Sequence, residues 1–522
     1  MATKFEAKGI YLGEGKIATE IYVSAIGNII SKEEFEQAAD QLAVKLEGFI
    51  TPAFRDGHSH PLFAGRESRG LDISACTNDE ELIAALRSYS SKNPELSWID
   101  AAVFDRSLNM TFTRDTLDLA VPDKPVVLHG DDHHTLWVNS KALEVAGILT
   151  TDLPILDSGH IDIDTQGMPT GILREWPAMS LVMDHAPELT LTEDVQALLW
   201  ADKAMAEAGI VECVDAWIDR GMSETYLAAF QSGELELDYT LCFRADPDTF
   251  TEDLNYFIDM RTALEATNGK IAGSCIKFFA DGVFGSATAL VSEPYESNGL
   301  HGKATWPEQS FKEAIQLAHQ NGFQIHIHAI GDAATNLALD IIGEQSGFYY
   351  PPVIAHAELT DGKTLDRMAA LGVVACVQPY WAQNNGLLLS CVDHLGKARL
   401  ERLYAFKDMI SKAITTVFSS DWPISTYNPI KGLAVAVNRR ENSNQVVHNP
   451  AQAISPKQAI DAYTTNVSKM IRSPKSGCLA IGQPFDAVLL NQDILAVRAD
   501  ELIETKVLAT YKAGKAIFSL NP

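Results

Sequence analysis

Residues 48–60 read GFITPAFRDGHSH, and this stretch decides the fold. It begins as a short apolar run of the kind that forms a buried strand, and it ends in a carboxylate, a glycine and the pair His58 and His60. Side chains two residues apart lie on the same face of a regular strand, so both imidazoles would project to one side. Taken alone, the pair is explained more simply by a strand with two polar residues beside a loop.

Seven further runs of the same kind follow along the chain. Amphipathic stretches such as 311–319, 333–342 and 364–371 lie between many of them. Eight strands that alternate with helices predict a parallel α/β fold, and eight is the strand number of a (β/α)8 barrel. A doubly wound sheet also fits the alternation. The seven runs are GIVECVDAW (209–217), LDYTLCFRA (237–245), SCIKFFADG (274–282), FQIHIHAIGD (323–332), PPVIAHAEL (351–359), GVVACVQPY (372–380) and AITTVFSSDW (413–422).

Ionisable side chains fall near the carboxyl ends of five of the eight runs. In a barrel these ends meet at one face, so residues hundreds of positions apart would share a pocket. Histidines, a lysine and a carboxylate at one mouth are what a metal-assisted hydrolase needs. The candidates are His58, His60, Lys277, His328, His356 and Asp421.

Each candidate also has a plainer interpretation. Lys277 would be a barrel lysine paired with a carboxylate such as Asp281, or a lysine of lowered pKa that reacts with CO2 to give an anionic carbamate. Asp421 would be a helix N-cap, or a ligand that also moves a proton. In the second histidine pair we favour His328 as the ligand, and His326 would line the barrel or orient another group.

The two ends of the chain and one long interval suggest the domain organisation. Residues 1–50 and 475–522 contain short β-type runs broken by glycine and would pair into one small β-domain. Residues 51–474 would form the barrel. The interval between its first and second strands is far longer than a normal βα connection. Residues 61–200 therefore predict an inserted subdomain that forms a lid or wall over the catalytic face.

Composition and charge exclude several classes of protein. The 522 residues carry a net charge of −28, which repels phosphate backbones and argues against a nucleic-acid partner. The seven cysteines are scattered with no CxxC pair, which fits a reducing compartment. No apolar run approaches the ~18 residues that span a bilayer, and the N-terminus has no signal-like core. We therefore expect a cytoplasmic protein with no membrane partner.

The motifs together resemble the amidohydrolase superfamily, and within it amidohydrolase family 3, the YtcJ-like branch that includes N-substituted formamide deformylases. The resemblance covers nearly the whole chain. GFITPAFRDGHSHP looks like the opening metal segment of that family. The other matching segments, in the family's order, are PVVLHGDDHHTLWVNSKALEVAGI (125–148), GMPTGILRE (167–175), IKFFADGVFGSATALVSEPY (276–295), IHAIGDAA (327–334), VIAHAEL (353–359) and SSDWPIS (419–425).

The resemblance implies a (β/α)8 barrel with a small β-sandwich domain built from both chain ends. It also implies a role for each candidate. His58, His60 and Asp421 would bind one metal ion, carboxylated Lys277 would bridge, and His328 and His356 would hold a second ion. His134 of the insertion would contact the substrate, Glu175 would either face the substrate or orient a neighbouring group, and Asp281 would lie with them. Asp421 and His356 would serve the chemistry directly.

The function implied is hydrolysis of an amide or N-formyl C–N bond in a small molecule by metal-activated hydroxide. An isomerase or lyase on the same barrel is the alternative, because a fold does not fix a reaction. A non-catalytic scaffold is disfavoured, since it need not keep six such groups at strand ends. The ligand set suits zinc, as one or two ions, although iron or manganese would also fit. Proteins of this class are often dimers, so a homodimer is a candidate assembly.

Overall fold

The computed structural model of the protein describes residues 1–105, 108–130, 133–156 and 159–520. The internal gaps fall in the predicted insertion, and residues 521–522 of the predicted small domain also lie outside the described part. Its strands are β1 (Ala2–Gly13), β2 (Lys16–Val23), β3 (Ile29–Ile30), β4 (Gln41–Lys45), β5 (Phe49–Pro52), β6 (Phe54–Ser59), β7 (Leu71–Asp72), β8 (Ile99–Phe104), β9 (Val126–Gly130), β10 (Thr135–Val138), β11 (His160–Ile163), β12 (Pro169–Arg174), β13 (Ile210–Ile218), β14 (Asp238–Arg244), β15 (Ile271–Phe279), β16 (Gln324–Ala329), β17 (Val353–His356), β18 (Val374–Val377), β19 (Thr416–Phe418), β20 (Ala487–Leu490), β21 (Val507–Lys512) and β22 (Lys515–Ser519).

Helices separate most of these strands in the second half of the chain. They are α1 (Lys32–Glu36), α2 (Pro61–Glu67), α3 (Asp79–Lys92), α4 (Arg114–Ala120), α5 (Ser140–Val145), α6 (Trp176–Met183), α7 (Leu191–Glu207), α8 (Met222–Ser232), α9 (Phe250–Leu264), α10 (Glu308–Gln320), α11 (Asp332–Gly343), α12 (Gly362–Ala370), α13 (Gly386–Ser390), α14 (Val392–Leu400), α15 (Phe406–Ser411), α16 (Pro429–Asn438), α17 (Pro456–Ala462) and α18 (Thr465–Met470).

Eight parallel strands form the barrel in the order β6-β13-β14-β15-β16-β17-β18-β19. Beyond the last strand, the backbone N–H of Asp421 donates to the carbonyl of His58 at 2.8 Å, which brings the two edges of the sheet together. Strands β16 to β19 are buried at every residue, as expected when helices cover the outside of a parallel sheet. Each of the eight predicted runs overlaps one barrel strand, and the predicted barrel class is confirmed.

The opening run divides between two sheets. Its first part is β5, which pairs with β1 and β20, and its second part is β6 of the barrel. The change occurs at Ala53, whose N–H donates to the carbonyl of Asp486, while the N–H of Phe54 donates to Gly209. The run was predicted as one strand, because its apolar pattern is continuous across the change of sheet.

The two chain ends share one mixed sheet, in the order β22-β21-β20-β5-β1-β2-β3 with β4 paired to β1. It has its own apolar cluster, in which the rings of Phe5 and Phe485 stack with centroids 4.9 Å apart. The pairing of distant strands explains why both ends show the same pattern of short β-runs. The residue boundaries given above for the domains stay predictions.

The segment between β6 and β13 contains a third sheet, ordered β11-β12-β10-β9-β8-β7. Strands β10 and β12 are antiparallel, with Thr135 opposite Arg174. This register places His134 and Glu175 next to one another where the insertion meets the barrel. Within the described ranges, no helix is long and apolar enough to cross a bilayer.

Candidate metal centre and active site

Two barrel edges bring His58, His60 and Asp421 together at the carboxyl end of the barrel. One possible ligand atom from each lies within 4.8 Å of the others, and all three residues are buried. The Oδ1 atom of Asp421 is 2.9 Å from Nε2 of His60 and 3.3 Å from Nε2 of His58. Buried His58 Nε2 has no hydrogen-bond partner in the described part of the chain. Two imidazoles and a carboxylate are a donor set that fits a divalent cation.

Lys277, His328 and His356 lie in the same cavity as the first three residues. The rings of His328 and His356 have centroids 4.5 Å apart, and those of His58 and His356 are 5.0 Å apart. Nδ1 of His356 is 4.0 Å from Oδ2 of Asp421. The structure therefore gathers all six residues that the sequence singled out as metal candidates.

Lys277 is fully enclosed in the barrel, with its Nζ 4.2 Å from the centre of the Phe279 ring. Burial lowers the pKa of Lys277 to about 8, although the carboxylate of Asp421 acts in the opposite sense. A lysine with this pKa has a larger neutral fraction near neutral pH than an exposed one. The neutral amine is the form that reacts with CO2, so the environment is compatible with a carbamate.

Two of the histidines have one ring nitrogen engaged by a neighbour. Nδ1 of His58 is 2.9 Å from Nε2 of His326, and Nε2 of His328 donates to the carbonyl of Gly282 at 3.1 Å. Such contacts fix the ring and select which nitrogen faces a cation. His326, whose role the sequence left open, lies behind His58 as an orienting neighbour.

His356 is oriented through a short chain of side chains. Its Nδ1 donates to Oε1 of Gln378 at 2.9 Å, and Nε2 of Gln378 donates to the hydroxyl of Ser419 at 2.8 Å. With Nδ1 engaged, Nε2 is the ring nitrogen that can bind a cation. The ring of Trp381 stacks parallel to His356 at 5.5 Å and closes its other side.

The backbone at the strand ends is held in uncommon conformations. His356 has φ 74° and Asp421 has φ 54°, in the left-handed region that non-glycine residues rarely adopt. The carboxylate of Asp56 accepts hydrogen bonds from the N–H groups of His58 (3.2 Å) and Ser420 (3.0 Å). Such conformations persist where the surroundings impose them, and they cluster at active sites.

The electrostatics of the centre favour an ionised Asp421. Burial alone would raise the pKa of this carboxyl, but His58 and His60 hold it well below its ordinary value. An anionic carboxylate at neutral pH can serve as a ligand and as a proton acceptor.

The cavity above the centre has a volume of about 1060 Å³, which is large enough for a small-molecule substrate. Its deep end belongs to the barrel, and Trp176 and Met179 of α6 form part of the opposite wall. The ring of Trp217 lies 5.8 Å from Trp176 and 6.3 Å from His60, so aromatic groups connect the insertion to the metal centre.

The insertion supplies one of the predicted substrate residues to the cavity. His134 lies on the cavity wall, and its Nδ1 is 2.7 Å from Oε2 of Glu175. Glu175 is buried behind this histidine, outside the set of residues that line the cavity.

Asp281, the third predicted substrate residue, is not on the cavity wall. Its carboxylate accepts hydrogen bonds from the backbone N–H groups of Leu290 (2.8 Å), Ile330 (3.1 Å) and Gly331 (2.8 Å). Both oxygens are therefore engaged in holding two loops of the barrel mouth. The geometry gives Asp281 a structural task at the barrel mouth, and its contact with a substrate stays a prediction.

Glu358 is a cavity residue that sequence reasoning missed. It lies two residues beyond His356, is buried, and lines the same cavity. Burial raises the pKa of Glu358 to about 8. Its position just after the sixth strand was the available signal, since residues at that place in a barrel point toward the active-site face.

Eight parallel strands with imidazole, lysine and carboxylate groups at their carboxyl ends define a (β/α)8 barrel with a candidate metal site at its mouth. Residues 47–518 match the sequence profile of the amidohydrolase family, and the chain belongs to that family. The resemblance drawn from the motifs is confirmed.

The relatives extend over most of the chain. It is 27% identical to YtcJ of Bacillus subtilis (strain 168), an amidohydrolase by name, over 499 residues that cover 91% of this chain and 90% of the relative. It is 25% identical to the protein LONG AFTER FAR-RED 3 of Arabidopsis thaliana over 503 residues, or 91% and 84% of the two chains. The crystal structure of an uncharacterized metal-dependent hydrolase from Pyrococcus horikoshii OT3 shares the fold, with a TM-score of 0.76, 24% identity and coverage of 96% and 99%.

Proposed function

We propose that this hydrolase cleaves an amide or N-formyl carbon–nitrogen bond of a small molecule with the help of a divalent cation, most simply zinc. The observation that carries the proposal is the convergence of His58, His60 and Asp421 at the barrel mouth, with their ligand atoms within 4.8 Å of one another. Family membership supports the hydrolytic part.

The six clustered side chains would hold one or two cations. A bound divalent cation would supply Lewis acidity, which acidifies a water molecule and polarises the substrate carbonyl. One ion would be held by His58, His60 and Asp421. Lys277 as a carbamate would serve both ions, and His328 and His356 would hold the second.

Asp421 would transfer the proton during the reaction. Its ionised carboxylate would take a proton from the attacking water and deliver it to the leaving nitrogen, which is general base and then general acid catalysis by one group. His356 would contact the cation or the substrate carbonyl through Nε2, because Gln378 holds the other ring nitrogen. His134 would contact the substrate from the opposite wall. The cavity encloses both groups, which keeps the reacting atoms close to the metal centre.

The test is elemental analysis of purified protein, followed by a turnover screen over N-formyl amines and N-acyl amines. We expect a divalent metal in the wild type and in the control His160→Asn, an exposed histidine on β11, and loss of metal in His60→Asn. Release of an amine with uptake of water identifies hydrolysis, whereas an isomerase would give neither. Well-folded protein that binds no divalent cation would refute the proposal.

The cytoplasmic location and the homodimer stay predictions.

A further inference from the structure

Glu175 links the insertion to the barrel through both of its carboxylate oxygens. Oε2 is 2.7 Å from Nδ1 of His134, and Oε1 accepts a hydrogen bond from the hydroxyl of Thr288 at 2.7 Å. The side chains of His134 and Glu175 are 23% and 12% exposed, so the pair lies at the inner edge of the cavity wall. Both oxygens of Glu175 thus face protein groups.

The backbone holds Glu175 in the same place. Its N–H donates to the carbonyl of His134 at 2.8 Å, and it stands at φ 64°, ψ 156° immediately before α6. A non-glycine residue at positive φ is unfavourable and is kept only where the surroundings over-determine it. Main chain and side chain therefore fix Glu175 against His134 together.

Thr288 belongs to the loop that continues from β15, the strand that carries Lys277. Its hydroxyl accepts a hydrogen bond from the N–H of Val283 at 2.9 Å, and the N–H of Leu290 in the same loop is held by Asp281. The chain of contacts from His134 through Glu175 to Thr288 thus ends on a loop of the barrel mouth that is itself fixed.

We infer that Glu175 is a positioning residue, which fixes the ring orientation and the Nδ1–H tautomer of His134 so that this imidazole meets the substrate in one defined way. A carboxylate only accepts hydrogen bonds, so Nδ1 of His134 must be the donor. Glu175 then acts through His134 and does not touch the substrate itself. The inference rests on the proposed function for the role of His134 in turnover.

The first test is a double-mutant cycle in turnover. In Glu175→Gln one carboxylate oxygen is replaced by an NH2 group, which donates hydrogen bonds and cannot accept one from His134 or Thr288. We expect kcat/KM to fall by about 10-fold or more in the wild-type background, and by less than about 2-fold in a His134→Asn background, because the two residues act as one unit. Thr288→Val should reproduce part of the loss, while Thr288→Ser should retain wild-type activity. Equal losses from Glu175→Gln in both backgrounds would indicate a merely structural role and overturn the inference.

The second test does not need turnover. Histidine side chains labelled with nitrogen-15 report their tautomer by NMR, and His134→Asn identifies the signal of His134 by its disappearance. We expect the Nδ1–H form in the wild type and a changed tautomer population in Glu175→Gln, with Thr288→Val as a second variant if the first misfolds. An Nε2–H form in the wild type, or an unchanged signal in the variants, overturns the inference. If the tautomer responds but no N-formyl or N-acyl amine is hydrolysed, it is the proposed function that fails.

Discussion

The two walls of the cavity hold their side chains in different ways. On the barrel wall the six clustered metal candidates are all buried, and they stand at or near strand ends. On the insertion wall Trp176 is 44% exposed. His134 on this wall keeps about a quarter of its side chain exposed, and its Nδ1 atom contacts the carboxylate of Glu175. The metal candidates of the barrel wall are thus buried, whereas the insertion wall is partly exposed and combines aromatic, apolar and charged side chains.

This difference suggests a division of labour between the two walls. Reacting groups need positions fixed to a fraction of an ångström, and packed strands provide that better than a surface segment. The insertion has apolar clusters of its own, apart from the barrel core. Its residues can therefore change without disturbing the metal centre, which suits a wall that selects substrates.

Asp421→Asn should have the largest effect, because it removes the proposed proton-transferring group while the side chain keeps almost the same size. We expect turnover to fall by about 10³-fold, within the usual range for a general acid–base residue, while metal content falls much less. The measurement is kcat together with metal per chain. The control is Asp115→Asn, an exposed aspartate on α4, which should behave as wild type. Near-normal turnover in Asp421→Asn would show that Asp421 does not transfer the proton.

Trp176→Ala should have a smaller and different effect, because it changes only the insertion wall. Losing a large aromatic contact surface weakens substrate binding, so we expect KM to rise by about 10-fold for the best substrate while kcat stays within about 3-fold. The control is Tyr349→Ala, an exposed aromatic in the loop before β17. A fall in kcat without a change in KM would contradict the division of labour.

The barrel could be predicted from the sequence because its strands are buried on both faces. Such strands appear as continuous apolar runs, and every predicted run overlaps one barrel strand. The division of the opening run at Ala53 could not be predicted in this way, since an apolar pattern does not reveal which sheet a strand joins. The contact that separates β5 from β6 comes from Asp486, more than four hundred residues away.

The grouping of the metal candidates followed from one rule, that parallel strand ends meet at one face. The hydrogen-bond partners did not follow from it. Gln378 and His326 orient two of the histidines: Gln378 directly follows β18 and contacts His356 at the end of β17, while His326 lies in β16 and contacts His58 in β6. Asp281 and Glu358 show most clearly what this rule does not predict. Both follow barrel strands, yet backbone amides engage the first and the second lies in the cavity.

Asp238→Asn should leave both walls untouched and change only stability. Asp238 begins β14 at the amino end of the barrel, where its carboxylate contacts Nζ of Lys475 and lies 2.6 Å from Nζ of Lys512 in β21. Burial opposes its ionisation, but the two lysines hold the pKa of Asp238 below its ordinary value of 3.8. We expect the variant to lose about 1–3 kcal/mol of unfolding free energy near neutral pH, with unchanged turnover per folded molecule.

The pH dependence of this loss has a definite sign. A carboxyl whose pKa is lower in the folded state contributes stability above its unfolded pKa, and the contribution disappears as the pH falls through the folded value. The gap between wild type and Asp238→Asn in urea unfolding should therefore be constant from neutral pH down to about 5 and narrow below about 4. Asp259→Asn, an exposed aspartate on α9, should show no gap at any pH. A gap that widens in acid would mean that the lysines do not stabilise the charged form of Asp238. The sheet formed by the two chain ends and the barrel would then be joined at this point by packing alone.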